Sequence, residues 1–278
     1  MQFTSEQVKG RIKNIARKNN ADPRTLMRIY MMERFLERVA LSKYKDNFII
    51  KGGMLVTAMV GVAHRSTMDI DTNIKNHELS ADEAVRIIEE IKNIDLDDGV
   101  SFEIKEVSNI MDEMEYPGIR IAMNVLMGKL ITPMKIDIST GDVITPRAIE
   151  YQYKLLLDER SIRLWSYNLE TILAEKLQTV LARGLLNTRM RDFYDIYTLL
   201  KIYGHTIDSS VLHNAFNATC KKRGTEELWN EAPKLIETIK NDGHLQSLWL
   251  TYTKKYIYAA DISYENIMKA TSELWNRL

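Results

Sequence analysis

Three aspartates in strand-like segments are the residues of this sequence best placed to do chemistry together. Asp69 and Asp71 stand two positions apart in the alternating segment Thr67–Ile74, so a strand would point both carboxylates from one face. Asp137 lies between two isoleucines in a later strand-like segment. Carboxylates gathered on one sheet repel each other unless a cation lies between them, and hard oxygen ligands select Mg²⁺ or Mn²⁺. Two such ions would hold the attacking and leaving oxygens of a phosphoryl displacement.

A glycine pair precedes these acids at a predicted strand-to-helix turn. Phe48–Ile50 reads as a short buried strand, Gly52 and Gly53 follow it, and Met54–Val62 fits a short helix. Glycines at such a turn let a ligand approach closely, and the free N–H groups of the helix start form an anion site. Taken alone, a glycine pair is usually a turn, and an Asp-x-Asp is often a solvated strand face. In this order, and flanked by apolar strand residues, the set predicts nucleotidyl transfer.

The elements that must position these residues predict an α+β fold. Two N-terminal helices are indicated by the capping-box spacing of Thr4 and Gln7, and by Asp22-Pro23 as N-cap and first helical position. From about Ser166 onward the pattern is helical. Further strands are predicted at Val100–Val107, Gly118–Leu126 and Met134–Ile138. We therefore predict a helical pair at residues 1–45, a mixed sheet domain at 46–150 and a helical domain at 151–278.

The ordered motifs resemble those of the DNA polymerase β-type nucleotidyltransferase superfamily, whose members carry a glycine pair, an Asp-x-Asp/Glu and a third strand carboxylate. More narrowly, they resemble the AbiEii toxins of abortive-infection, type IV toxin–antitoxin systems. The matching segments are Lys51–Gly53, Arg65–Asp71, Lys135–Gly141, Leu173–Lys176 and Arg191–Asp195. One departure is the segment between Gly53 and Asp69, which is longer than the usual superfamily spacing. The resemblance implies a polymerase β-like mixed sheet flanked by helices, with a helical C-terminal domain.

Carried over position by position, the resemblance implies a role for each site residue. Asp69 and Asp71 would bind the metals. Asp137 would hold the second metal and assist deprotonation of the incoming hydroxyl. Gly52 and Gly53 would contact the triphosphate of an NTP co-substrate.

Arg65, Ser66 and Thr67 directly precede the metal acids. Their hydroxyls could touch the triphosphate and Arg65 could neutralise it, although the same residues equally suit a turn. Because some members of such systems are silenced by phosphorylation near the metal acids, Ser66 and Thr67 are also candidate regulatory sites.

Lys176 lies beside the apolar side of the strongly helical stretch Glu170–Leu177. A lysine there either snorkels to solvent or meets an anion, because the ammonium is costly to desolvate, and the resemblance favours nucleotide phosphates. Asp192 and Asp195 are helical neighbours that could form a salt-bridge lattice with Arg191. We predict that Asp192 is functional, as a partner of Lys176 or of the substrate, and that Asp195 is structural.

Composition limits the alternatives. The chain has 278 residues, with 38 Lys and Arg against 38 Asp and Glu, so no global charge attracts it to nucleic acid or to a membrane. Basic residues nevertheless dominate between Lys9 and Arg28, where an RNA backbone could lie. Cys220 is the single cysteine, which excludes an internal disulfide and suits a reducing compartment. With no signal-peptide pattern and no long apolar stretch, we expect a cytoplasmic protein without a membrane partner.

The residues and the resemblance together predict an enzyme that transfers NMP from an NTP to an acceptor. The resemblance implies a toxin that acts on RNA, in some relatives the tRNA 3′ end, and causes growth arrest and phage abortive infection. It also implies a co-encoded antitoxin that need not form a stable complex. Two alternatives stay open: a transferase for protein or small-molecule hydroxyls, and a non-enzymatic nucleotide-binding module with a decayed site. The presence of all three acids argues against decay.

Overall fold

The computed structural model describes residues 3–75, 80–110 and 118–278 and divides the chain into two compact units. The first unit comprises Met1–Asp142 and Ile149–Ser166, and the second comprises Val143–Ala148 and Tyr167–Leu278. The helices of the first unit are α1 (Ser5–Asn19), α2 (Pro23–Leu41), α3 (Gly52–Val60) and α4 (Ala81–Lys92). Its strands are β1 (Phe48–Lys51), β2 (Asp69–Ile74), β3 (Val100–Ile110), β4 (Gly118–Met127), β5 (Leu130–Ser139), β6 (Ile149–Lys154) and β7 (Ser161–Ser166).

A mixed sheet forms the centre of the first unit. Within the described residues it has seven strands in the order β3-β4-β5-β2-β1-β7-β6. The β1–β7 and β2–β5 pairs are parallel, and the other neighbouring pairs are antiparallel. This arrangement confirms the predicted α+β class, and it places β2 between β1 and β5, the strands that carry the glycine turn and the third acid.

The sheet continues beyond the domain boundary that the sequence predicted near residue 150. Residues 149–166 add β6 and β7 to the first unit, and β7 pairs with β1 through Ile49 and Trp165. β6 could hardly be predicted from the sequence, because this strand lies at the sheet edge and only Tyr153 among its residues is buried. An edge strand with one buried side chain produces no long apolar run.

The N-terminal helices begin at the caps that the sequence predicted. Thr4 accepts from the backbone N–H of Gln7, whose side chain bonds back to Thr4 in a capping box. Asp22 accepts from two backbone N–H groups of the first turn of α2, with Pro23 at the first helical position. Further along α2, Phe35 packs its ring against aromatic rings of β1 and β3. The helical pair is therefore fixed both by local capping and by the sheet core.

Buried ionisable side chains on α2 also hold the first unit together, and the sequence analysis did not identify them. Arg38, which is 2% exposed, donates two hydrogen bonds of 2.9 Å to the Asp98 carboxylate. Glu33 accepts from the backbone N–H of Leu156 at 3.0 Å, and burial raises the pKa of Glu33 to about 8. A buried charge such as Arg38 needs a paired counter-charge, and a buried carboxyl such as Glu33 needs hydrogen bonds.

The second unit is helical, as predicted from about residue 166 onward. Its helices are α5 (Leu169–Arg183), α6 (Met190–Tyr203), α7 (Ser209–Arg223), α8 (Leu228–Lys240), α9 (Gly243–Lys255) and α10 (Tyr264–Trp275). The ring of Phe216 on α7 lies 5.1 Å from that of Trp229 and 5.8 Å from that of Trp275, which ties three helices together. Cys220 is buried in α7 as a free thiol. Among the described residues, none of the helices is long and apolar enough to cross a membrane.

Candidate active site

The carboxylates of β2 and β5 lie on one face of the sheet. Asp71 and Asp137 are directly paired in the parallel β2–β5 register, so their side chains point to the same side. Asp69, two residues before Asp71 on β2, shares that side. The structure therefore brings together the three acids that the sequence singled out.

The glycine turn lies directly against one of these carboxylates. Gly52 begins α3 with a φ of +57°, and the backbone N–H of Gly53 donates to Oδ2 of Asp71 at 3.0 Å. A Cβ atom at Gly52 would lie 2.2 Å from the same Oδ2 atom. The prediction that the N–H groups at this helix start are free to bind an anion is therefore partly wrong, because the Gly53 N–H is bonded to Asp71. The glycine turn instead holds the Asp71 carboxylate in place.

Burial and, after it, like charges act on the Asp69 carboxylate. Burial raises the pKa of Asp69, and the negative charges of Asp71 and Asp137 raise it further. The positive charges of Lys135 and Arg120 oppose this shift, but the pKa stays above its usual value. A cation placed among these carboxylates would relieve the repulsion.

Asp137 is held by an arginine that the sequence analysis missed. Arg120 on β4 donates to both oxygens of Asp137, from Nε at 2.8 Å and from Nη2 at 2.7 Å. The signal was present in the sequence, since a tight turn joins β4 to β5 and pairs Met127 with Leu130. Counting back from that turn along both strands places Arg120 opposite Asp137, as the register shows.

Arg65, Ser66 and Thr67 form the approach to β2, and two of them are buried. Arg65 is 1% exposed and donates to the carbonyl oxygen of Ser66. Thr67 is 2% exposed and its hydroxyl donates to the carbonyl oxygen of Asp69 at 3.2 Å. A Cβ atom on Gly53 would lie 2.7 Å from the Thr67 hydroxyl. These contacts match the turn interpretation of this segment, and contact with a triphosphate stays a prediction for all three residues.

Lys51, known from the sequence only as part of a motif, anchors the strand that leads into the glycine turn. Its ammonium donates to the Ser139 hydroxyl at 2.8 Å and forms an ion pair with Asp142, just beyond the end of β5. Lys51 is only 6% exposed. The strand that carries Asp137 and the strand that precedes Gly52 are thereby tied at one end.

The second unit contains the other predicted site residues. Lys176 on α5 contacts Asp192 at 3.0 Å and Asp195 at 2.6 Å, both on α6. Arg189 adds a contact of 2.9 Å to Asp192. Burial raises the pKa of Asp192, but the charges of Lys176 and Arg189 outweigh it and leave that pKa below its usual value. Lys176 therefore meets anions rather than snorkelling, and Asp195 is as close a partner as Asp192.

The carboxylates of β2 and β5 offer the kind of oxygen ligands that a divalent cation needs. Within residues 3–75, 80–110 and 118–278, no group of three or more His, Cys, Asp or Glu side chains is arranged to hold a metal ion. Asp69 and Asp71 nevertheless offer the hard carboxylate oxygens that Mg²⁺ and Mn²⁺ prefer, and the charges of Lys135 and Arg120 only partly offset the repulsion on Asp69. The chemistry of the residues fits such an ion, while Asp137 is engaged by Arg120.

Two solved structures are similar to this chain over most of its length. A Helicobacter pylori protein described as a candidate nucleotidyltransferase is similar with a TM-score of 0.53 at 15% identity, over 91% of this chain and 94% of that chain. JHP933 from Helicobacter pylori gives a TM-score of 0.52 at 15% identity, over 91% of each chain. At this identity the likeness shows a shared fold alone.

The sequence profile of the nucleotidyl transferase AbiEii toxin, type IV toxin–antitoxin system, matches residues 34–270. The chain therefore belongs to the AbiEii toxin family, and the resemblance seen in its motifs is confirmed. No curated protein matches the sequence.

Proposed function

We propose that this protein is a metal-dependent toxin that transfers a nucleoside monophosphate from an NTP to RNA and releases pyrophosphate. The observation that carries the proposal is the pairing of Asp71 with Asp137 on neighbouring strands, with Asp69 on the same face and the Gly52 turn against Asp71. Membership of the AbiEii family supports the reaction class.

In the proposed reaction, a hydroxyl oxygen of the acceptor forms a bond to the α-phosphorus of the NTP. The bond between that phosphorus and the oxygen bridging to the β-phosphate breaks, pyrophosphate leaves, and the hydroxyl loses its proton. Mg²⁺ or Mn²⁺, held by Asp69 and Asp71 with Asp137 as the further carboxylate, would neutralise and orient the triphosphate. Gly52 leaves room for Asp71 to keep its place at the turn.

Exposed basic side chains of the first unit support RNA as the acceptor. Lys13, Arg17 and Lys18 on α1 are exposed, as is Arg24 in the first turn of α2. Such side chains suit the phosphate backbone of RNA. Four further parts of this proposal rest on the family alone: the tRNA 3′ end as acceptor, growth arrest, phage abortive infection, and a co-encoded antitoxin without a stable complex. A cytoplasmic location is also part of the proposal, and the single cysteine suits it.

Two alternative functions would use all or part of the same site. A transferase acting on protein or small-molecule hydroxyls would need the same carboxylates and glycine turn but no basic RNA-binding face. A nucleotide-binding module without catalysis would need the turn but not the acids. The exposed basic side chains of α1 favour RNA over the first, and the gathered acids favour catalysis over the second.

The function is tested by incubating the protein with each α-³²P-labelled NTP, Mg²⁺ or Mn²⁺, total RNA and cell protein, in parallel with Asp69→Asn. We expect label on RNA with the unmodified protein and none with the variant, because the amide removes a charged ligand without changing the shape of the side chain. Thermal unfolding of both proteins shows that the variant is folded.

Label on protein, with RNA unlabelled, would replace the RNA proposal by the transferase for other hydroxyls. NTP binding without transfer to any acceptor would indicate the non-catalytic module. Equal labelling by Asp69→Asn would contradict the role given to the β2 carboxylates.

The basic face can be tested separately from NTP binding by the triple reversal Lys13→Glu, Arg17→Glu and Arg24→Glu. Arg11 is left in place, because it contacts the backbone of Leu157 and the ring of Phe3. We expect weaker RNA binding, with the slope of log affinity against log salt reduced by up to about 2, or about 0.7 for each lost contact to a single-strand phosphate. NTP affinity should not change. Fluorescence anisotropy at several salt concentrations measures both.

The matched control makes the same charge change on exposed side chains of the second unit, with Lys234→Glu, Lys240→Glu and Lys269→Glu. An equal loss of RNA affinity in this control would show that net charge, not the N-terminal face, controls binding. Unchanged RNA affinity in the first triple variant would remove the N-terminal face from the proposal.

A further inference from the structure

The Arg120–Asp137 ion pair occupies the carboxylate that the proposed function assigns to a metal. Arg120 binds both oxygens of Asp137 in the fork geometry that guanidinium and carboxylate groups prefer. The Asp137 side chain is 8% exposed, and the Arg120 side chain is 24% exposed. The carboxylate is therefore nearly buried, whereas the arginine keeps access to solvent.

A row of charged residues runs across the sheet at this level. Lys51, Asp71, Asp137 and Arg120 are successive partners on β1, β2, β5 and β4. Lys51 is directed to Ser139 and Asp142. Of the two basic residues in the row, Arg120 is therefore the one that pairs with an acid of the row, and that acid is Asp137.

Arg120 and a metal ion compete for Asp137. Each oxygen of Asp137 gives one lone pair to Arg120, and the guanidinium charge repels a divalent cation that approaches the remaining lone pairs. A nearly buried carboxylate needs a counter-charge, and Arg120 supplies it when no metal ion is bound. The partly exposed arginine can leave toward solvent, while Asp137 is fixed on a central strand.

We propose that Arg120 is a positioning residue that acts as the internal counter-ion of Asp137 and competes with the divalent cation for it. Arg120 then holds the metal-free site together and lowers its affinity for the ion. The proposal rests on the proposed function for the identity of the ion, but it concerns binding and not transfer.

The test is the affinity of the full-length chain for Mn²⁺ alone, measured by calorimetry and by the electron paramagnetic resonance signal of free Mn²⁺. We expect Arg120→Gln to bind Mn²⁺ about tenfold more tightly than the unmodified protein, a difference of about 1.4 kcal/mol. Arg120→Lys, which keeps the charge but loses the fork, should lie between the two. Mn²⁺ should also raise the melting temperature of Arg120→Gln more than that of the unmodified protein.

The control variant adds Asp137→Asn to Arg120→Gln and should lose the gain in affinity. Equal or weaker Mn²⁺ binding by Arg120→Gln, or no binding by either protein, would overturn the proposal. If Arg120→Gln does not fold, the Mn²⁺ affinity of Arg120→Lys serves as the test. An Mn²⁺ affinity of Arg120→Lys equal to that of the unmodified protein would then overturn the proposal. A gain in Mn²⁺ affinity in a protein that transfers no nucleotide would keep this inference and reject the proposed function, so the two failures are distinguishable.

Discussion

Replacing Gly52 by alanine is expected to reduce nucleotidyl transfer by about 100-fold or more, the scale on which small displacements of reacting groups act. The new Cβ atom would lie 2.2 Å from Oδ2 and 2.6 Å from Cγ of Asp71, so the carboxylate must move. That movement breaks the hydrogen bond from the Gly53 N–H and displaces Asp71 relative to Asp137. The residue also has a φ of +57°, where alanine is strained by about 1 kcal/mol.

Gly99→Ala is the matched control, because it separates backbone strain from the clash. Gly99 has a φ of +67°, and a Cβ atom there would meet nothing within 4 Å. We expect Gly99→Ala to lower the unfolding free energy by about 1 kcal/mol and to leave transfer unchanged. Transfer rates and urea unfolding of both variants provide the comparison. Full activity in Gly52→Ala would show that Asp71 need not stay where the turn holds it.

Much of the first-unit site was predictable, because its residues lie on short elements with strong local signals. The strand with period two predicted that Asp69 and Asp71 share a face, and β2 shows it. The apolar strand ending in two glycines predicted the β1–α3 turn. Even the position of Arg120 follows from the β4–β5 hairpin, because a tight turn determines the register of both strands.

Contacts between residues far apart in sequence and without a turn to set their register could not be predicted. Lys51 meets Asp142, a contact that depends on how β1 and β5 flank β2. The burial of Glu33 depends on the loop at Leu156, which lies beyond β6 in sequence. A helix pattern shows which side chains recur on a face, but not which distant backbone group will accept or supply a hydrogen bond.

The prediction for Asp195 illustrates the same limit. Helical spacing identified Asp192 and Asp195 as neighbours, and the structure places both on the Lys176 ammonium. The sequence alone could not show that α5 presents Lys176 to both. Asp195 is 0% exposed, so the residue predicted to be structural is the more deeply buried of the two.

Replacing Lys176 by methionine is expected to lower the unfolding free energy by about 3–5 kcal/mol at neutral pH. Lys176 is 11% exposed in its side chain and is the shared partner of Asp192 and Asp195, so its loss removes that counter-charge from two buried carboxylates and leaves Asp192 with Arg189. A loss of this size is a large fraction of the 5–15 kcal/mol that typically stabilises a domain. Urea unfolding followed by circular dichroism measures it.

The difference between the two proteins should shrink as the pH falls. In the unmodified protein the pKa of Asp192 is lowered, so its stabilising contribution is present above the usual Asp pKa and is lost as the pH falls through the lowered value. Without Lys176, burial and mutual repulsion raise the pKa values of Asp192 and Asp195 in the folded variant. The folded variant then binds a proton more readily than the unfolded chain does, so its free energy of unfolding rises as the pH falls. A difference that stays constant between pH 7.5 and pH 5 would contradict this account.

Lys176→Met combined with Asp195→Asn separates the structural role of the lysine from the role in nucleotide binding that the family implies. Asp192 keeps its contact of 2.9 Å with Arg189, and the amide at position 195 removes the second buried charge, so much of the lost stability should return. A folded double variant that has lost NTP affinity would assign Lys176 to the triphosphate. A folded double variant with unchanged NTP affinity would leave Lys176 as the ion-pair partner that joins α5 to α6 and nothing more.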